Sequence, residues 1–125
     1  MVKSLISVAV SLVIVVLGGI FEQKFLCSSF DEISAIFYEL DADLRDNSAT
    51  KEQALKAQQK WINKKEYLHS FIPHNDIKEI DLWVAETVAY VSDGNYDEAR
   101  KKTIVILELL EQTPKSYSLK IENLL

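Results

Sequence analysis

His69, His74 and Asp76 form the one grouping in this 125-residue chain whose residue types suggest chemistry. Zinc takes three or four such ligands, converging at about 2.0–2.3 Å. Here the histidines are five apart and straddle Pro73, so no metal motif directs them to a shared point. Their ordinary roles are local: His74 and Asp76 would cap the start of one helix, and His69 would lie near the end of another, where the dipole favours a cation. A His–Asp pair could also polarise a nucleophile, but the single cysteine, Cys27, adjoins an apolar segment and no serine sits in a strand–turn–helix elbow. The only adjacent glycines, Gly18 and Gly19, lie inside that segment, which leaves no phosphate-cradling loop. Glu79, Asp81 and Glu86 lack EF-hand spacing and read as a solvated helix face. The expectation is a protein with no catalytic residues, no cofactor and no dedicated metal site.

Binding is the alternative to catalysis, and two residue pairs suggest it. Trp83 and Tyr90 are seven apart, on a helical face rotated away from the seam Ile77–Val91; aromatics of this kind are enriched at interface centres. Against that stands the simpler reading that their helix is central and buried on two sides. Ser7 and Ser11 have small-xxx-small spacing and share a face with Ser4 and Gly18, an arrangement that lets two membrane helices approach closely.

The elements that position these residues fall into two regimes, which the near-zero mean hydropathy averages. Ser4 to Phe21 are 18 residues without a charge, and everything after Glu22 is polar and charge-rich. At 1.5 Å per residue the first segment makes about 27 Å of helix, enough for a short membrane span flanked by Lys3 and Lys24. Gly18-Gly19 and Cys27-Ser28-Ser29 are only loose candidates for signal cleavage, and Lys24, Phe25 and Leu26 before Cys27 are not the small residues that lipoprotein cleavage requires, so the span reads as a retained anchor rather than a cleaved signal. Lys3 before the span, with Glu22 and Lys24 cancelling after it, places the amino terminus in the cytoplasm and the body outside. The net charge is −5, from 14 basic and 19 acidic residues, and no basic stripe exists to displace counterions from a nucleic acid. One cysteine excludes an internal disulfide framework.

Beyond the span the apolar period is helical. Phe30, Ile33, Phe37, Leu40 and Leu44 make the seam of helix 1, which only Cys27-Ser28-Ser29 separates from the span, so that the two form one rod. Thr50-Lys-Glu-Gln53 reads as a capping box for helix 2, which extends to about Phe71 and buries Ala54, Ala57, Trp61, Leu68 and Phe71. Asn75 is the expected cap of helix 3, whose seam is Ile77, Ile80, Val84, Val88 and Val91. Gly94 suits a left-handed cap before helix 4, which runs from Tyr96 to Gln112 and is closed by Pro114. The run Ile104 to Leu110 predicts that helix 4 is the most buried, and a last segment, Tyr117 to Leu125, folds back on the bundle. A basic helix 2 between acidic helices 1 and 3 favours antiparallel neighbours. The fold class expected is all-α: an anchor over 1–26, then a compact bundle over 27–125 made of two helical hairpins, four main helices with a weak tetratricopeptide likeness.

Trp61 in helix 2, then Phe71-Ile-Pro-His-Asn-Asp-Ile-Lys-Glu-Ile-Asp81, then Leu107-Glu-Leu-Leu-Glu111 and a closing Ser118-Leu-Lys-Ile-Glu-Asn-Leu-Leu125, together with the single span, resemble a bacterial family known as domain of unknown function 4363. The resemblance covers essentially the whole chain. It implies a small single-pass membrane protein of low-GC Gram-positive bacteria with its body outside, and a membrane protein as partner; it carries no activity. The function expected is a membrane-tethered helical module that contacts the bilayer through residues 4–21 and docks on another membrane or envelope protein. Two other readings stay open, an extracytoplasmic metal- or ligand-sensing module built on His69, His74 and Asp76, and a homodimer joined through Ser7 and Ser11.

Overall fold

The computed structural model describes residues 2–124, with side chains described through Lys115. Four helices account for nearly all of it: α1 (Val2–Arg45), α2 (Lys51–Leu68), α3 (His74–Ser92) and α4 (Tyr96–Leu124). Each helix packs against the next, and α4 returns to pack along α1. Neither diagonal pair touches among the described residues. The result is an up-and-down bundle of two hairpins, α1–α2 and α3–α4.

Span and helix 1 are one 44-residue helix, about 66 Å long. No glycine or proline occurs between Ile20 and Arg45 to interrupt it. Burial along it begins at Leu26 and continues through Phe30, Ile33, Phe37, Leu40 and Leu44, the expected 3–4 seam extended by one residue. The helix ends at Asn47, which takes a left-handed φ of 56°. Backbone bonds from Asn47 to Leu44 and from Ser48 to Asp43 complete a Schellman cap. Gly94, at φ 74°, ends α3 in the same way, with Gly94 bonded to Val91 and Asn95 to Tyr90.

Half of the predicted capping box forms. The Thr50 hydroxyl accepts from the Gln53 backbone N–H at 3.2 Å, but the Gln53 side chain donates to Asp43 on α1 instead of turning back to the cap. That bond ties α2 to α1, which a local pattern does not reveal. Helix 2 stops at Leu68, earlier than Phe71, because Phe71 and Ile72 turn to bond the Leu68 carbonyl. Pro73, not Asn75, is the N-cap of α3: its backbone carbonyl accepts from Asp76 and Ile77, and no side chain caps this end. His74 is therefore the first residue of α3 and Asp76 lies in its first turn, the anion-favouring position.

Pro114 does not close α4, whose backbone stays helical to Leu124. A proline inside a helix removes one donor, here the one that Leu110 would have accepted. Beside it the buried Thr113 hydroxyl donates to the Leu109 carbonyl at 2.7 Å. Leu119, Leu124 and Leu125, expected to fold back, lie outside the residues whose side chains are described. Nor is α4 buried all round: it packs extensively on α1 and α3, yet Ile104 remains 46% exposed. The α3 seam substitutes buried Thr87 for Val88, and Thr87 satisfies its hydroxyl on the Trp83 carbonyl.

Candidate functional site

Two surfaces stand out, and the first is the amino-terminal half of α1. Its large apolar side chains from Val2 to Phe21 are exposed, and nothing in its most apolar stretch is buried. Ser7 and Ser11 lie on this bare stretch, both exposed. By length and composition it is a helix able to cross a membrane, a property that amino-terminal signal sequences share.

The second is the outer side of α3. Trp83 and Tyr90 are half-buried against the core, and α4 supplies what covers them. The Lys102 ammonium stands 4.8 Å from the Trp83 ring centroid and 6.0 Å from that of Tyr90, and 3.5 Å from Glu86. One cation thus bridges two aromatic faces and a carboxylate, pinning α3 to α4. Leu82, Ala85 and Ala89 occupy one exposed strip of α3, with Leu82 57% exposed, about a third of a turn around the helix from Trp83 and Tyr90 and with Glu86 between them. Such a face can take an apolar partner; it holds no reactive group.

His69 and His74 do come together. Their rings stack with centroids 5.4 Å apart and an interplanar angle of 30°, across the turn between α2 and α3. Both are exposed, and Asp76 does not join them in a ligand set: among the described residues no three His, Cys, Asp or Glu side chains could hold a metal ion. The spacing across Pro73 therefore produces an aromatic contact. Cys27 is a half-buried free thiol.

Three polar clusters are absent from the sequence reading. The buried Trp61 indole donates to Asp81 at 2.6 Å, and Lys65 meets both oxygens of that carboxylate at 3.1 Å. Trp61 and Asp81 lie equally far from residue 71 at the turn, so antiparallel pairing of α2 with α3 was the signal that could have found them. On the other side of α2, Lys64 reaches Glu32 of α1 at 2.8 Å and Lys60 does so at 3.6 Å. The hydrogen bond and charge of Lys64, with a smaller contribution from Lys60, hold the Glu32 carboxyl below its ordinary value. These contacts realise the alternation of acidic, basic and acidic helices. Third, Asp41 is buried on α1 with Arg45 at 3.1 Å and Arg100 of α4 at 3.6 Å. Asp41 Oδ1 and Arg100 Nε face each other just beyond hydrogen-bond reach. Tyr96 of α4 donates to the Ala49 carbonyl at 2.8 Å nearby, closing the same end of the bundle.

An all-α bundle carried on a long helix with an apolar amino-terminal half, and no metal-binding cluster among the described residues, defines the class. The chain belongs to the family described as Domain of unknown function (DUF4363), whose model matches residues 20–124. No curated protein and no solved structure matches it.

Proposed function

We propose that this protein is a non-enzymatic, single-pass membrane module whose helical body docks on another membrane or envelope protein. The observation that carries this reading is the exposed strip Leu82–Ala85–Ala89 on α3, displayed on a bundle that shares one unbroken helix with an apolar segment. The span is retained and holds the body at the bilayer, the amino terminus is cytoplasmic, and the bundle lies outside, as the lysine before the span favours. Binding energy concentrates in aromatic anchors surrounded by contacts that exclude water. Trp83 and Tyr90, held from behind by Lys102, are pre-organised for that role.

The test is crosslinking in cells followed by mass spectrometry, on the intact chain and on Leu82→Glu and Ala85→Glu variants. One membrane protein should be captured by the intact chain and lost from both variants, which place charge on an exposed strip and leave the core intact. Retention of the same partner by both variants would contradict docking through α3. A further version with residues 1–26 replaced by an unrelated span separates body from anchor: capture should survive the exchange.

A further inference from the structure

The stacked histidines draw attention to the end of the bundle nearest the span. Lys64 of α2 is level with Glu32 of α1, as their 2.8 Å contact shows. From Lys64, α2 descends four more residues to Leu68, and α1 read backwards from Glu32 descends the same distance to Ser28. The α2–α3 corner, residues 69–73, therefore lies beside Leu26–Ser28, where burial of α1 begins. Phe21, the last residue of the uncharged segment, is five residues below Leu26 and seven below Ser28, about 7.5–10.5 Å along the axis. A hydrocarbon core of about 30 Å is thicker than the roughly 27 Å of that segment, which brings its boundary higher still. The headgroup layer on one side is about 5–7 Å deep. With no glycine or proline between Ile20 and Arg45 to let the bundle swing away, this height is built into the helix.

We propose that the α2–α3 corner, residues 69–73 with the stacked His69–His74 pair at its edges, rests in the lipid headgroup layer of the membrane that α1 spans. The inference depends on the reading of residues 4–21 as a retained span. The side chains suit the layer: Phe21 and Phe25 present exposed rings on α1 just below the corner. The imidazoles present apolar faces to each other and nitrogen atoms to headgroups and water. The corner then acts as a second contact with the bilayer, resisting tilt of the bundle and fixing the direction in which the α3 strip faces.

Spin labels on the full chain in phosphatidylethanolamine–phosphatidylglycerol vesicles test this. In a Cys27→Ser background, labels are placed singly by Ser70→Cys, His74→Cys, Ser48→Cys and Val10→Cys, all at exposed positions, and collisional accessibility to oxygen and to a water-soluble nickel chelate is measured. Labels at 70 and 74 should show nickel accessibility several-fold below that of 48, at the far end of the bundle, and position 10 should be lipid-immersed. Nickel accessibility at 70 and 74 equal to that at 48, with position 10 immersed, overturns the corner contact and leaves the span reading standing. A water-exposed label at position 10 overturns both.

Discussion

Val10, Ile14 and Leu17 in the first half of α1 leave 53%, 64% and 60% of their surface exposed, whereas Ile33, Phe37 and Leu40 in the second half leave at most 1%. The helix is continuous and these six side chains are of similar types, so their own hydrophobicity does not explain the difference. Arrangement does. Residues 4–21 carry no charge anywhere on the circumference and suit an apolar solvent, while residues 26–45 gather Phe30, Ile33, Phe37, Leu40 and Leu44 in one stripe, with Asp31, Glu32, Glu39 and Asp43 on other faces, and match a neighbouring helix. One continuous helix thus carries two kinds of surface.

The strongest way to break this comparison is to truncate one side chain in each half. Phe37→Ala should destabilise the bundle by about 3–5 kcal/mol through the cavity it leaves. Val13→Ala should leave the melting temperature of the full chain in detergent micelles unchanged, and an equal loss at both positions would erase the distinction. Asp81→Ala comes next. It strands the buried Trp61 N–H and releases Lys65, for an expected loss of about 1–3 kcal/mol by denaturant unfolding followed by tryptophan fluorescence. Gly94→Ala forces a side chain into a left-handed conformation and should lower stability by about 1–2 kcal/mol in the same assay.

The smallest expected effect is electrostatic. Glu32 is depressed in the folded state, so the stability it contributes is complete above its unfolded value near 4.5 and is lost as pH falls through the lower folded value. The pair is exposed, and the effect is best read at the residue itself. In a carboxyl chemical-shift titration, Lys64→Gln should move the Glu32 midpoint upward toward 4.5; an unmoved midpoint would show that Lys64 is not its partner in solution.

Much of the bundle was legible because seams and turns are local. Phe30 to Leu44 declare a buried stripe by spacing, and Gly94 declares its turn by what only glycine tolerates easily. Pro114 was misleading: the rule that proline ends helices describes a lost donor and a clash, which α4 accommodates with its backbone helical on both sides. Asn75 misled in a different way, since a good capping residue loses to a backbone carbonyl already in position at Pro73. The candidate site was half legible. Trp83 and Tyr90 were identifiable by type and spacing, but Lys102, which holds them, comes from another helix and is fixed only by the register of α3 against α4. The Trp61–Asp81–Lys65 and Asp41–Arg45–Arg100 clusters escaped for the same reason.

α1 is a single rod that joins the apolar segment to the bundle, and a distance between its halves tests this directly. Spin labels at Leu5→Cys and Tyr38→Cys, both exposed positions, in a Cys27→Ser chain reconstituted in vesicles, should give one narrow distribution near 50 Å, the rise of 33 helical residues. A broad distribution, or one centred well below that distance, would mean a hinge between membrane and bundle and would contradict the rod.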